Sequence, residues 1–258
     1  MISNLAYVHP NAKIGNNVTI DPFAYIEGDV VIGDDCHIFP HASVLDGVRM
    51  GKGCNIYHSA VIGGIPQDLK FQGEDTTVEI GDYNNIREFA TIHRGTASKG
   101  RTVVGSHCLI MAYCHVAHDC CLHDHIIMSN AVQLAGEVVV DDWAIISGGA
   151  LVHQFSHIGA HCMVQGGTKI NKDLPPFSMV GRDPAAYCGL NSVGLRRRNF
   201  SSEQIHNIQD IYRYIYLSGK NVTEALEAIK AELPETPERN LIVNFIESSP
   251  RGIVKGLI

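Results

Sequence analysis

The chain has 258 residues, 45% of them hydrophobic and 18% charged, with a formal net charge of −7. That length suits one large or two modest domains, and the acidic balance argues against nucleic acid as a main partner. Residues 1–10 hold neither a basic segment nor an apolar stretch, and no run is long and apolar enough to cross a bilayer, so neither a secretory signal nor a membrane span is expected.

From Val8 to Ile170 a large aliphatic recurs at every sixth residue, as in Val8, Ile14, Ile20, Ile26, Ile32 and Ile38. Of the 28 positions in that series, 25 hold Ile, Leu, Val or Met; the exceptions are Asp68, Glu74 and Ser98. A period of six fits neither a helix nor an alternating strand. It is the period of a parallel β-helix, in which three short strands complete each coil. With three of the 28 positions to a coil, the stretch makes about nine coils. Four residues after each aliphatic stands a slim residue, among them Ala24, Cys36, Ala42, Cys54, Cys108, Cys114 and Cys120. Both columns must point inward, and a triangular interior has room for one large side chain per strand. Six of the 8 cysteines fall in the slim column (Cys162 is the last), so they read as compact hydrophobes rather than a disulfide or zinc framework. A reduced cytoplasmic protein is the simplest expectation.

Two segments leave aliphatic slots empty without losing phase: 63–77 (GGIPQDLKFQGEDTT) and 95–102 (GTASKGRT). They read as loops bulging from a corner of a continuing stack, the usual place for function on a rigid scaffold. The coil is expected to end near Leu174, Pro175 and Pro176. Beyond it, Ser201 and Gln204 stand in capping-box spacing before a stripe of Ile205, Ile208, Tyr212 and Ile215, with Gly219 as a stop. Thr223–Leu233 and Pro237–Glu247 read as two further helices, the last opened by Thr236-Pro237. The division is therefore 1–190 for the β-helix, with its loops, and 191–258 for a helical domain that covers the open end of the coil.

Fourteen histidines cluster toward the middle of the chain. His118 lies two residues after the inward Val116 and should project outward. A stacking interval of three repeats puts Gly136 directly above it and Gln154 above that. A glycine lets a substrate come close, and its backbone N–H is a candidate oxyanion donor. Asp119 is either a solvated turn residue or the group that orients the His118 imidazole. His107, His125 and His161, with Trp143 completing the series, are spaced to form an exterior stacking ladder.

The strings PQDLKF (66–71), TIHRGT (91–96), VAHDC (116–120), LAGEV (134–138), VHQF (152–155) and GLRRR (194–198) occur in one order and spacing. Together they closely resemble the UDP-N-acetylglucosamine O-acyltransferase family of bacterial lipid A synthesis, over essentially the whole chain. The resemblance to hexapeptide-repeat proteins implies a left-handed coil. It further implies a homotrimer with active sites between neighbouring coils. The implied reaction moves a 3-hydroxyacyl group from an acyl carrier protein thioester to the 3-hydroxyl of UDP-N-acetylglucosamine, with neither metal nor other cofactor. His118 would be the general base, Asp119 its orienting partner and Gly136 the oxyanion donor. Gln67, Asp68, Lys70, His93, His115, His153 and Gln154 match positions lining the substrate cleft. Asn191 and Arg197 match nucleotide-contacting positions, and the Arg196–Arg198 run could meet the acidic carrier. Gly166, lacking a side chain near the end of the expected acyl tunnel, favours a long chain. Two positions depart from the family's habit: Glu137 follows Gly136 where histidine is common, and Val193 replaces an acidic residue. The competing readings are the N-acyltransferase of the same pathway, which usually carries an extra N-terminal domain, and a γ-type carbonic anhydrase with histidine ligands.

Overall fold

In the computed structural model, residues 1–256 are described. Strands of mostly two residues, such as Lys13–Ile14, Thr19–Ile20 and Tyr25–Ile26, pass in turn through three sheets and wind a left-handed parallel β-helix. The first sheet has nine strands from Tyr7–Val8 to Lys169–Ile170, the second eight, and the third eleven. The register is a strict advance of three repeats: Val116 pairs with Leu134, Leu134 with Val152, and Val152 with Ile170.

That register brings every repeat's aliphatic onto the axis. The column from Ile20 to Ile170 is at most 4% exposed, as is the slim column from Val18 to Cys162. Each large side chain so buried contributes about 1.5–3 kcal/mol. Cys36, Cys54, Cys108, Cys114, Cys120 and Cys162 are all buried and free, so the slim column is packing, as the spacing indicated.

Turning through a corner in so few residues puts one residue of most corners into the left-handed region, glycine or not. His107, His125, Trp143 and His161 have φ of 59–63°. Such a conformation costs a non-glycine residue on the order of 1–2 kcal/mol. Stacking offsets part of it: ring centroids of Tyr83 and His107 are 5.2 Å apart, of His107 and His125 5.0 Å, and of His125 and Trp143 3.9 Å. On the same edge Gly15, Gly33, Gly51, Gly81 and Gly105 rise in file. A Cβ on any of the first four would lie 2.7–2.8 Å from the next glycine's carbonyl carbon, so a side chain there would force a local shift between those coils.

The coil does not stop at the two prolines. Ser178–Gly181 pairs in parallel with Met163–Val164, with Val180 opposite Val164. Leu174 bridges to Ile158. Leu174 and Val180 are six residues apart and fully buried, so the repeat continues. It has slipped two residues out of phase with Ile170, which hides it from a strict six-residue count. The chain then reverses into an antiparallel strand, Ala186–Leu190, and the tail returns as Lys255–Gly256 to pair beside it.

Four helices pack over this end: α1 (Ser192–Arg197), α2 (Ser202–Leu217), α3 (Val222–Glu232) and α4 (Pro237–Glu247). The sequence reading missed α1, a single short turn capped by Asn191. α2 carries the full Ser201–Gln204 capping box, and α3 a second one from Asn221 and Glu224. α4 has Thr236 as its cap and Pro237 in its first turn. Ile205, Ile208, Ile211, Tyr212 and Ile215 from α2 join Ile229, Ile242 and Phe245 in an apolar core separate from that of the coil. Among the described residues, no helix is long and apolar enough to cross a membrane.

Because six thiols face the axis and only Cys121 and Cys188 are part-exposed, a thiol reagent should label at most those two in the native protein. All eight should react after denaturation. Rapid native labelling of a third thiol, counted by intact mass, would contradict the packing.

Candidate active site

The two irregular segments leave the coil at one corner, between the first and second sheets, and His118 stands at that corner too. Ile62 pairs with Ile92 and Ile92 with Val116, advances of 30 and 24 residues instead of eighteen. Strand pairing extends through Gly64 and resumes at Thr77, and likewise runs to His93 and resumes at Arg101. The irregular parts are thus 65–76 and 94–100.

His118 directs its ring outward, with Nδ1 2.8 Å from Asp119 Oδ2. Asp119 occupies the left-handed corner position at φ 60°. It is nevertheless fully buried, because the segment 94–100 lies across it. The carboxylate accepts from the Thr96 N–H (2.9 Å) and hydroxyl (2.6 Å) and from the Lys99 N–H (3.2 Å). Its own N–H donates to Thr102 Oγ1 at 2.8 Å. Burial alone would raise the Asp119 carboxyl, but the Thr96 hydroxyl, His118 and the Thr96 amide outweigh it and hold the group below its ordinary value. An ionised carboxylate can only accept, so the shared proton sits on Nδ1 and Nε2 is left as an acceptor. Of the two readings the sequence left for Asp119, the solvated turn residue is excluded.

Nε2 faces a backbone and a carboxylate. A Cβ on Gly136 would lie 2.5 Å from His118 Cε1 and 2.6 Å from Nε2, so any side chain there would displace the imidazole. The Glu137 N–H donates to the His118 carbonyl (3.0 Å) and the Phe155 N–H to that of Gly136 (3.1 Å), the register the stacking interval required. The Gly136 N–H has no hydrogen-bond partner among the described residues. Asp68 Oδ2 lies 4.0 Å from Nε2. Its other oxygen accepts the Lys70 N–H at 2.9 Å, which folds the 65–76 segment so that Gln67 and Lys70 are exposed beside it.

His93 and His115 lie below on the first sheet, their rings edge to face at 4.7 Å. His115 Nδ1 is 2.7 Å from Thr91 Oγ1, whereas the buried Nδ1 of His93 has no partner. Burial, then His115 and His118, push His93 down to about 4. Burial, then His118, lower His115 as well. One coil above Gly136, His153 and Gln154 are exposed. Arg251, from the C-terminal tail, donates to the Gln154 carbonyl (3.0 Å) and reaches His153 Nδ1 at 3.4 Å.

Three residues implied by resemblance lie elsewhere in the same chain. Gly166 sits on the corner between the third and first sheets, against the Gly148 carbonyl. Asn191 lies at the remaining corner, where its amide donates to the His161 carbonyl (2.9 Å) and accepts the Gly194 N–H (3.2 Å). One end of that side chain therefore caps α1 and the other ties it to the coil, while Arg197 in the last turn is exposed. The sequence reading did not single out Thr96, Lys99, Thr102 or Arg251. Thr96 closes the string TIHRGT, but nothing in a non-periodic loop signals which residue will fold back on the carboxylate.

A left-handed coil of hexapeptides with a carboxylate-held imidazole at a looped corner defines a hexapeptide-repeat transferase. The family described as bacterial transferase hexapeptide (six repeats) matches residues 11–42 and 29–64, and the second domain of UDP N-acetylglucosamine O-acyltransferase matches 173–254. The acyl-[acyl-carrier-protein]–UDP-N-acetylglucosamine O-acyltransferase of Pseudomonas syringae pv. syringae B728a is 49% identical over 99% of each chain. The UDP-N-acetylglucosamine acyltransferase structure from Bacteroides fragilis 9343 is 54% identical, with a TM-score of 0.98 over 99% of this chain and 100% of that one. That from Francisella novicida is 40% identical, with a TM-score of 0.96 over 99% and 94%. The chain belongs to the UDP-N-acetylglucosamine O-acyltransferase family.

The depressed histidines set an acid limit. With His93 at about 4 in the folded chain and near 6.5 when unfolded, the unfolded chain binds the extra proton between those values. Stability should therefore fall as pH drops from about 6.5 to about 4. His161, held at about 4 by burial and then Arg198, adds to the same slope. The His93 ring resonances should show no titration above about pH 5, and His93→Gln should flatten the fall in melting temperature. A His93 midpoint near 6.5 would remove the basis for both.

Proposed function

We infer that this chain transfers a 3-hydroxyacyl group from the thioester of acyl carrier protein to the 3-hydroxyl of UDP-N-acetylglucosamine, the first step of lipid A biosynthesis. The observation that carries the mechanism is the imidazole fixed at Nδ1 by a buried carboxylate, with Nε2 free against a glycine backbone. His118 Nε2 takes the proton of the sugar hydroxyl as its oxygen attacks the thioester carbonyl. Charge builds on the former carbonyl oxygen, and the unpaired Gly136 N–H is placed to receive it. Collapse of the tetrahedral adduct expels the carrier thiolate, which takes the proton back from His118. Asp119 keeps the productive tautomer and stabilises the imidazolium while it exists, as orienting carboxylates do.

Asp68 and Lys70, on the segment facing His118, with Gln67, His93, His115, His153 and Gln154, form the substrate cleft in this reading. Gly166, Asn191 and Arg197 cannot reach it from their own chain, since they stand on the other two edges of a rigid prism. A homotrimer that sets one chain's His118 edge against those other edges of its neighbours supplies them. The fully exposed Leu69 and the exposed Ile65, carried on the segment beside His118, favour such burial. The acyl carrier protein and sugar nucleotide place the reaction in the cytoplasm. We take 1–190 as the β-helix domain and 191–258 as the helical domain, with the Arg196–Arg198 run as a carrier-docking surface.

Acyl transfer to UDP-N-acetylglucosamine should be measured from 3-hydroxyacyl carrier proteins of graded length. His118→Ala should lower turnover about 10²–10⁴-fold, the usual worth of a positioned base. Transfer that survives the substitution would remove His118 from the role. Gly166→Met should move the preferred donor toward a shorter chain, and an unchanged preference would take Gly166 out of the acyl path.

A further inference from the structure

Glu137 directly follows the glycine that faces His118, and both of its carboxylate oxygens are turned to the segment 94–100. It stands one coil above Asp119 at the same left-handed corner position, φ 61° against 60°. Corner side chains of this kind point outward, so Glu137 and Asp119 project side by side from adjacent coils. The segment 94–100 spans both. Its amides at Thr96 and Lys99 and its Thr96 hydroxyl serve Asp119. The next functional groups along it serve Glu137: Ser98 Oγ donates to Oε1 at 3.0 Å, and Lys99 Nζ lies 3.8 Å from Oε2. The same ammonium reaches the Asp119 carbonyl at 3.4 Å. The ends of the segment are pinned by backbone bonds from Gly95 to Thr77 and from Thr77 to Gly100. Its crest, Ala97 to Lys99, is exposed, and beyond Asp119 itself the side-chain hold on it is Glu137.

We propose that Glu137 is a positioning residue: it clamps the segment 94–100 over Asp119, and through Asp119 fixes the His118 tautomer. The proposal rests on His118 and Asp119 acting as base and orienter. Without the clamp the crest lifts, water reaches the Asp119 carboxylate and competes with Thr96 and Lys99, and the imidazole loses its fixed partner. Binding of the sugar nucleotide is not what Glu137 controls, since its carboxylate is turned into the loop.

The test is steady-state acyl transfer with hydrogen exchange at the Thr96 and Lys99 amides, on full-length wild type, Glu137→Ala, Glu137→Gln, Ser98→Ala and the Ser98→Ala/Glu137→Ala pair. Glu137→Ala should lower kcat about tenfold with KM for both substrates within about twofold, the pattern of a group acting on the chemical step. Both amides should exchange at least about tenfold faster. Glu137→Gln keeps an acceptor for Ser98 and should recover most of the loss. The double variant should be no slower than Glu137→Ala alone, because the two substitutions break one clamp. A rise in sugar-nucleotide KM at constant kcat would overturn the proposal by placing Glu137 on the substrate. Unchanged kcat with unchanged exchange would overturn it by making Glu137 an ordinary surface residue. An inactive wild type would sink the catalytic reading instead, while the exchange rates would still decide whether the clamp exists.

Discussion

The fixed vertical register of the coil is the constraint from which the rest of the structure follows. Parallel strands one above another hydrogen-bond only at β spacing, so each residue sits over the residue three repeats earlier, and identity at one level is tied to identity at the next. The interior becomes two columns, one large and one slim, and the corners become three files of residues held at positive φ. Stacked rings in one file and a file of bare glycine backbones beside it are two answers to that crowding. Neither makes sense for an isolated turn.

The same register turns a surface imidazole into a poised one. Gly136 lies against His118 because it is one coil higher, and Gln154 follows one coil above that. Asp119, at a position that solvent would normally reach, becomes a buried carboxylate because an extra repeat's worth of chain lies over it and satisfies it with Thr96 and Lys99. Burial and neutralising donors act in opposite directions on its proton affinity, and the donors prevail. The histidines below show the contrary case: His93 is buried with a nitrogen unpaired, and it gives up its affinity for protons.

Much of the scaffold could be read from the chain alone, for a physical reason. One large side chain per strand is a steric demand that repeats without exception, so it marks the sequence from Val8 to Ile170. The caps of α2 and α4 were legible as well, because Ser201, Gln204, Thr236 and Pro237 satisfy local backbone demands. The coil's last turn was not, since the two-residue slip before Leu174 breaks the count while leaving the packing intact. α1 escaped notice because six residues containing Gly194 carry no helical stripe. At the site, His118 and Gly136 followed from stacking, whereas Thr96, Lys99 and Arg251 depend on how non-repeating chain folds back, which no periodicity encodes. Asn191 was marked by resemblance alone, and no pattern in the sequence announced that its amide also binds backbone groups of this chain at both ends.

The inserted segments add twelve and six residues to their coils, so the strands above them resume on the same faces. The slip between Ile170 and Leu174 is not a whole repeat, yet Leu174 and Val180 are buried like the aliphatics before them. What the lattice demands is therefore a place of departure and a place of return: the strand on either side of a corner must keep its aliphatic on the axis, whatever chain runs between. It is silent toward what a loop contains and strict about the two strands that hold it. Chemistry at the His118 edge can be rewritten freely so long as those strands keep their faces.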